Sequence, residues 1–129
     1  MTDRDDISGE VIGAAVDVHR ELGPGLLESA YESCLAYELG EQRIPYERQT
    51  ALPVRYKDVR LDCGYRIDFL VRKTVLVELK CISEVRPIHR AQVLSYLRQS
   101  QAELGLLLNF HERTLIDGVT RLIDDEMAA

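Results

Sequence analysis

The 129-residue sequence contains no tryptophan, only three cysteines and three histidines. Cys34, Cys63 and Cys81 are odd in number and form no C-x-x-C pair, which argues against a disulfide framework and against a zinc site. We expect buried or half-buried free thiols. No two histidines have the i, i+4 spacing of a helical metal site, so any bound metal must be held by oxygen atoms.

Long apolar segments are also missing. No stretch approaches about 18 uncharged apolar residues, the length that a membrane span requires. The first residues, Met1 to Asp6, are polar and acidic, unlike a secretory signal. We therefore expect a cytoplasmic protein that makes no contact with a membrane.

The balance of charge is acidic, with 22 Asp and Glu residues against 16 Lys and Arg residues and a net charge of -6. The overall field of such a protein does not attract polyanions, so a nucleic-acid partner would need a local basic strip, a metal or another subunit. The contents of 46% hydrophobic and 29% charged residues are ordinary for a globular protein. The length predicts one domain over residues 1–129.

Two amphipathic helices joined by a tight turn open the chain. Apolar residues from Ile7 to Leu22 repeat at intervals of three and four, which predicts the first helix. Gly23-Pro24-Gly25 ends it. The second helix ends between residues 40 and 45. Its apolar residues share one side: Leu27, Ala30, Tyr31, Cys34, Leu35 and Leu39.

After Pro45 the composition becomes that of β-strands. Residues 46–56, 59–71 and 74–81 predict a three-stranded antiparallel meander. Pro87 favours the start of a third helix, which extends to about Gln101. The apolar run from Leu104 to Phe110 indicates a strand covered on both faces. Residues 115–123 are predicted as a final strand, with a short helix as the alternative.

The turn at residues 72–74 sets a register in which Val71 faces Val75 and Asp68 falls opposite Glu78. On this register one side of the strand pair is apolar and the other is polar. The apolar side holds Ile67, Phe69, Val71, Val75, Val77 and Leu79, and the polar side holds Asp68, Glu78 and Lys80.

Two carboxylates directly opposite one another on adjacent strands, roughly 5 Å apart at their bases, repel unless a positive charge lies between them. A divalent cation is the simplest candidate. Lys80 projects to the same side and offers the alternative of a purely structural ion pair.

The helices add further polar residues. At about 100° per residue, Glu28 falls within the apolar arc of the second helix, where it faces either a cation, a group of donors or water. Gln92 and Tyr96 lie one turn apart on the third helix and point to the same side. A basic strip for a phosphate backbone, or a solvated helix face, is formed by Arg86, His89, Arg90 and Arg98.

Together these residues resemble the PD-(D/E)XK nuclease superfamily, and within it the small proteins named for a GxxExxY motif. That motif runs here from Gly25 through Glu28 to Tyr31. The other signatures are Arg66-Ile67-Asp68, Val77-Glu78-Leu79-Lys80 and the segment from Gln92 to Tyr96. Ile67 stands where the superfamily name has proline.

The resemblance implies an α/β fold with a restriction-endonuclease-like core, a mixed central sheet flanked by helices. The element order is ααβββαβ with a possible extra C-terminal strand. It also implies that Glu28, Asp68 and Glu78, with the backbone carbonyl of Leu79, hold Mg²⁺ or Mn²⁺, ions that prefer hard oxygen ligands.

The remaining roles also follow from the resemblance. Lys80 would orient or deprotonate the attacking water and help to neutralise the phosphate. Gln92 and Tyr96 would orient Lys80 or contact the substrate strand. Tyr31 and Arg90 complete the predicted substrate-binding set. His19 is either a further metal ligand or a residue of helix packing.

The predicted function is metal-dependent hydrolysis of nucleic-acid phosphodiester bonds, with DNA favoured over RNA. The alternative is a non-catalytic accessory or nucleic-acid-binding subunit with a nuclease fold, which the acidic net charge favours. A third possibility is that the carboxylates are only structural. A homodimer or a larger complex is compatible with the first two.

Overall fold

The structure is a computed structural model that describes residues 3–124. It has three layers: a five-stranded mixed sheet with two helices on one face and one helix on the other. The predicted α/β class and mixed sheet flanked by helices are thereby confirmed.

The three helices are α1 (Arg4–Leu22), α2 (Glu28–Glu41) and α3 (Pro87–Gln99). Asp3 caps α1, since its Oδ1 accepts the N–H of Asp6 at 2.9 Å. Gly23, with φ of 67°, ends α1 in a conformation that favours glycine. Pro87 is the first residue of α3, where its missing N–H costs nothing.

The start of α2 differs from the prediction. Leu27 was predicted on the buried side of the helix, but it lies just before α2 and is 78% exposed. Leu27 belongs to the loop before α2, in which Gly25 has a φ of 110°. Tyr31, Leu35 and Leu39 are buried as predicted.

Residues 3–124 contain seven strands. The central sheet has the order β1-β4-β5-β6-β7, in which β5 and β6 are parallel and the other neighbours antiparallel. The other two strands, β2 and β3, form a separate hairpin. The strands are β1 (Tyr46–Ala51), β2 (Val54–Tyr56), β3 (Val59–Leu61), β4 (Arg66–Val71), β5 (Val75–Lys80), β6 (Leu104–Asn109) and β7 (Val119–Leu122).

The prediction of unbroken strands over residues 46–56 and 59–71 was wrong. Pro53 lies between β1 and β2, and its missing N–H cannot continue a ladder. Gly64, at φ of 78°, lies between β3 and β4. The β2–β3 hairpin therefore interrupts the predicted meander, and β1 pairs directly with β4. The final strand is confirmed as β7, preceded by a 3-10 turn at Ile116–Gly118.

Two apolar clusters hold the layers together. The first joins α1 and α2 to one face of the sheet, including Phe69, Val77 and Leu79, and the second joins α3 to the other face. Ile67 was predicted on the first face, but it packs in the second cluster. Because the sheet is covered on both sides, nearly all of β5 and β6 is buried.

The structure also bears on the predicted state of the cysteines and on the predicted lack of a membrane span. All three cysteines are free; Cys34 and Cys81 are half-buried, whereas Cys63 is exposed, contrary to the prediction of a buried or half-buried thiol. Within residues 3–124, no helix has both the length and the hydropathy needed to cross a membrane.

Candidate active site

The centre of the site is the point where the β4–β5 ladder ends. Val71 pairs with Val75, Leu70 with Leu76 and Phe69 with Val77, which confirms the predicted register. The turn between the strands places Arg72 and Lys73 at φ of 50° and 57°. Regular pairing ends at Phe69, and the next positions on the two strands are Asp68 and Glu78.

Beyond this point, hydrogen bonds from backbone N–H groups to the two carboxylates connect β4 and β5. The N–H of Asp68 donates to Oε1 of Glu78 at 3.2 Å, and the N–H of Leu79 donates to Oδ2 of Asp68 at 2.9 Å. Each side chain therefore accepts a hydrogen bond from the opposite strand. The two acidic groups lie between the strands and beside one another.

The surroundings of the pair disfavour the ionised forms of both carboxyl groups. Burial, followed by the negative charge of Asp68, raises the pKa of Glu78 to about 8. Burial also raises the pKa of Asp68, although the N–H of Leu79 opposes this. The charge of Lys80 lowers the pKa of Glu78, but by less than the other effects raise it.

Glu28 lies near this pair. It is the first residue of α2 and is exposed, while Leu35 and Leu39 on the same side of the helix are buried. Partial desolvation, followed by the charge of Asp68, raises the pKa of its carboxyl group, while Lys80 lowers it. These charge interactions place Glu28, Asp68 and Lys80 around one space.

Tyr31 fastens the loop that leads to Glu28. Its hydroxyl group donates to the carbonyl of Gly23 at 2.6 Å and accepts the N–H of Leu26 at 3.1 Å. Its ring stacks on Phe110 at 4.5 Å and is fully buried. The ring therefore contacts the loop and the core, and it presents no surface to a substrate.

Gln92 and Tyr96 face the site together. The amide nitrogen of Gln92 donates to the Tyr96 hydroxyl at 3.1 Å. Burial, followed by the charge of Glu78, raises the pKa of Tyr96. The side of α3 that carries this pair therefore faces the strand carboxylates.

Arg90 is not brought to the same place. It lines a shallow groove with Val85, Pro87 and Leu94, on a part of α3 that does not include Gln92 or Tyr96. Two other members of the predicted basic strip are engaged locally. Arg98 forms an ion pair with Asp124 at 2.7 Å, and Nδ1 of His89 accepts the N–H of Arg86 at 2.9 Å.

Sequence reasoning missed two residues beside the carboxylates. The amide nitrogen of Gln49 on β1 donates to Asp68 Oδ1 at 3.2 Å and to Glu32 Oε1 at 2.8 Å. Glu32 lies one turn after Glu28, a spacing that could have identified it. No sequence signal identifies Gln49, which lies beside Asp68 because of the long-range pairing of β1 with β4.

His19 is occupied elsewhere. Its Nε2 lies 2.9 Å from the carbonyl oxygen of Glu112, and its ring stacks on Phe110 at 6.1 Å. It is 5% exposed. These contacts are those of a packing residue, the second of the two roles that the sequence left open.

The carboxyl groups of the site are of the right chemical type to bind a metal ion, but their side chains are not arranged as a complete metal site. Over the described part of the chain, no three His, Cys, Asp or Glu side chains are grouped so that they could hold a metal ion. Asp68 and Glu78 nevertheless offer the oxygen donors that Mg²⁺ and Mn²⁺ prefer, at a position where burial and mutual repulsion disfavour the ionised forms that a cation would stabilise. Glu28 lies close enough to Asp68 for their charges to interact.

The sequence matches a family model over most of its length. The family model of the PD-(D/E)XK nuclease superfamily matches residues 5–122. Among solved structures, an alkaline exonuclease from Laribacter hongkongensis is similar with a TM-score of 0.47 and 15% identity, over 93% of this chain and 84% of that one. No curated protein matches the sequence. The match over residues 5–122 shows that this chain belongs to the PD-(D/E)XK nuclease superfamily.

Proposed function

We propose that this protein is a nuclease that hydrolyses phosphodiester bonds, with DNA as the favoured substrate. The observation that carries the proposal is the pair of buried carboxylates, Asp68 and Glu78, at the end of the β4–β5 ladder, followed by Lys80 on the same strand. Family membership supplies the class of reaction.

We propose Mg²⁺ or Mn²⁺ as the cofactor, since divalent metals are general in this superfamily. Asp68, Glu78 and the backbone carbonyl of Leu79 would hold the ion, and Glu28 would join them from the start of α2. A bound divalent cation would lower the pKa of a water molecule and offset the charge that develops on the phosphate.

The protein's own groups have separate tasks. The ammonium group of Lys80 would orient the attacking water and stabilise negative charge on the phosphate oxygens. Gln92 and Tyr96 would hold the substrate strand or Lys80 in place. Tyr31 would act through the loop that sets the position of Glu28, which gives the GxxExxY motif a structural meaning and supports membership of that subgroup.

A non-catalytic accessory role is the second candidate. It is favoured by the lack, within residues 3–124, of three side chains grouped for a metal ion, and by the net charge of -6. In that role the same surface would bind nucleic acid without cleaving it.

Cleavage assays with mutants test the first proposal. We expect Mn²⁺- or Mg²⁺-dependent cleavage of DNA that falls by at least about 100-fold in Asp68→Ala and in Lys80→Ala. Lys73→Asn is the matched control, because it removes one lysine charge at the far end of the same strand pair and asparagine tolerates the backbone φ of 57°. The substrates are single-stranded, duplex and branched DNA, and RNA.

Calorimetric titration with Mn²⁺ separates the alternatives. Binding to the wild type that Glu78→Ala abolishes supports a metal site. Metal binding without cleavage of any substrate would support the accessory role. No binding to the wild type would leave the carboxylates with a structural role and would contradict metal-dependent catalysis.

A further inference from the structure

The β2–β3 hairpin is the least buried part of the described fold. It pairs with no strand of the central sheet, and of its six strand residues only Val54 is half-buried while the rest are exposed. A hairpin of this size is marginally stable on its own, so its exposed side chains contribute little to the core. Their character therefore bears on what the hairpin contacts.

The hairpin carries positive charge in an acidic protein. Residues 54–61 contain three basic residues and one acidic residue, whereas the whole chain has a net charge of -6. Arg55 on β2 lies directly opposite Arg60 on β3. Like charges at directly opposite positions destabilise a strand pair. Among residues 3–124, no carboxylate lies within ion-pair distance of either arginine.

This pair of arginines is the counterpart of the pair of carboxylates at the active site. Asp68 and Glu78 bring two acidic groups together, and Arg55 and Arg60 bring two basic groups to directly opposite strand positions. A phosphate group between the two guanidinium groups would relieve their repulsion and accept hydrogen bonds from both.

The hairpin is connected to the active site through aromatic residues. Tyr65 follows the hairpin, and its carbonyl accepts the N–H of Leu52 at 3.0 Å. The rings of Tyr65 and Tyr96 lie 5.9 Å apart. Tyr65 also precedes Asp68 by three residues, about 10 Å along an extended strand. The hairpin is fastened to α3 as well, because the side chain of Gln99 accepts the N–H of Arg55 at 2.8 Å.

Tyr65 is 45% exposed although its ring contacts Tyr96. An exposed ring beside a nuclease site can stack on a nucleic-acid base, but only on one that is not already stacked within a duplex. In the chain Tyr65 lies between the arginine pair and Asp68, so phosphate contacts, a stacking ring and the reacting centre follow one another in sequence.

We propose that Arg55, Arg60 and Tyr65 form a binding surface for single-stranded nucleic acid, in which the arginines hold backbone phosphates and Tyr65 stacks on an unpaired base next to Asp68. This inference deepens the proposed nuclease function and rests on it for the position of the cleaved bond. The substrate class is a single strand, or the frayed end of a duplex.

Binding to a labelled single-stranded DNA oligonucleotide, measured by fluorescence anisotropy in EDTA, tests the arginines without cleavage. We expect Arg55→Ala/Arg60→Ala to bind at least about 10-fold more weakly. The slope of log affinity against log salt should fall by about 1.4, because each lost phosphate contact on a single strand changes it by about 0.7. Both side chains are exposed, so the fold should persist, which thermal denaturation checks.

Arg20→Ala/Arg113→Ala is the matched control, since it removes the same charge from two exposed arginines elsewhere. We expect it to change affinity by less than about threefold. An equal loss in the control would show that net charge, not the hairpin, governs binding and would overturn the inference.

Tyr65 is tested with a reporter that the sequence makes possible. The chain has no tryptophan, so Tyr65→Trp places a single indole at the site. We expect its fluorescence to be quenched by a single-stranded oligonucleotide and not by one made of abasic residues. Tyr65→Ala should weaken binding to the first by about 10-fold and leave binding to the second unchanged, a difference that a merely structural role would not produce.

The hairpin variants also separate the binding surface from a self-association contact and from the nuclease activity. If they bind normally but sediment differently, the hairpin is a contact between copies of the chain and the inference fails. If the protein cleaves nothing but the hairpin variants lose binding, the nuclease proposal fails and the binding surface stands. If the protein cleaves nucleic acid and the hairpin variants bind it as tightly as the wild type, the proposed binding surface is wrong but the nuclease proposal stands.

Discussion

Glu78 is a carboxyl group with 6% of its surface exposed and a second carboxylate beside it. Its pKa of about 8 in the folded protein lies far above the ordinary value of 4.5. Between these values the folded protein binds a proton that the unfolded chain releases. Stability is therefore full below about pH 4.5 and decreases as pH rises through about 8.

We predict that the metal-free protein loses stability between about pH 5 and 8, by an amount on the order of a few kcal/mol. Glu78→Gln should remove most of this decrease, because an amide stays neutral. Asp68 and Glu28 should still cause a smaller decrease in stability with rising pH, since their pKa values are also raised. Urea denaturation in EDTA at several pH values measures the effect.

The control for this prediction is Glu103→Gln, which makes the same change at an exposed residue just before β6. It should reproduce the pH dependence of the wild type. A Glu78→Gln protein whose stability falls with pH as steeply as the wild type would show that Glu78 is ionised in the fold.

At the scale of elements, local patterns predicted pairing wherever the turn was short. The turn at residues 72–74 was enough to place Val71 opposite Val75, and the whole β4–β5 register followed from it. The i, i+4 spacing of Gln92 and Tyr96 likewise predicted their shared side on α3. Short-range geometry of this kind depends only on backbone periodicity, which the sequence carries.

Features set by long-range packing could not be predicted in this way. Ile67 alternates with Phe69 along β4, yet it packs in the other apolar cluster because regular β4–β5 pairing stops at Phe69. Gln49 reaches Asp68 through the pairing of β1 with β4, a contact between distant parts of the chain. The start of α2 at Glu28 depends on the preceding loop, which Tyr31 fastens.

The contact between α3 and β6 gives a prediction at this scale. A Cβ atom at Gly105 would lie 2.6 Å from Cγ1 of Val93, a stiff β-branched side chain on α3. We predict that Gly105→Ala lowers the free energy of unfolding by about 1–3 kcal/mol, because α3 must move away from the sheet. Since α3 carries Gln92 and Tyr96, cleavage should fall as well.

Gly13→Ala on α1 is the matched substitution with the opposite expected sign. No atom lies within 4 Å of the added Cβ, and alanine favours a helix over glycine by up to about 1 kcal/mol. The midpoints of urea denaturation of the two variants compare them directly. Equal effects of the two changes would contradict the close packing of α3 on β6.

For the whole molecule, a metal that binds only the folded state should stabilise it. At a Mn²⁺ concentration about 100 times the Kd, the gain is about 2.7 kcal/mol, or roughly 8–10 °C in melting temperature for a protein of this size. We predict a larger shift at pH 8.5 than at pH 6, because at the lower pH a proton on Glu78 competes with the metal.

Differential scanning calorimetry with and without Mn²⁺ measures this shift. Asp68→Ala should abolish it, and Glu103→Gln should retain it. A shift of equal size in the wild type and Asp68→Ala would place the metal elsewhere in the molecule.

The outer edge of the sheet has a consequence for how copies of the chain meet. In β1 the ladder to β4 is interrupted at Gln49, between the pairs that Arg48 and Thr50 form with their partners. The kink turns the backbone away from a flat strand, and Glu47 and Arg48 add charge. The interruption at Gln49 and the charged side chains disfavour extension of this edge into a continuous intermolecular sheet, so we expect little strand-to-strand aggregation through β1.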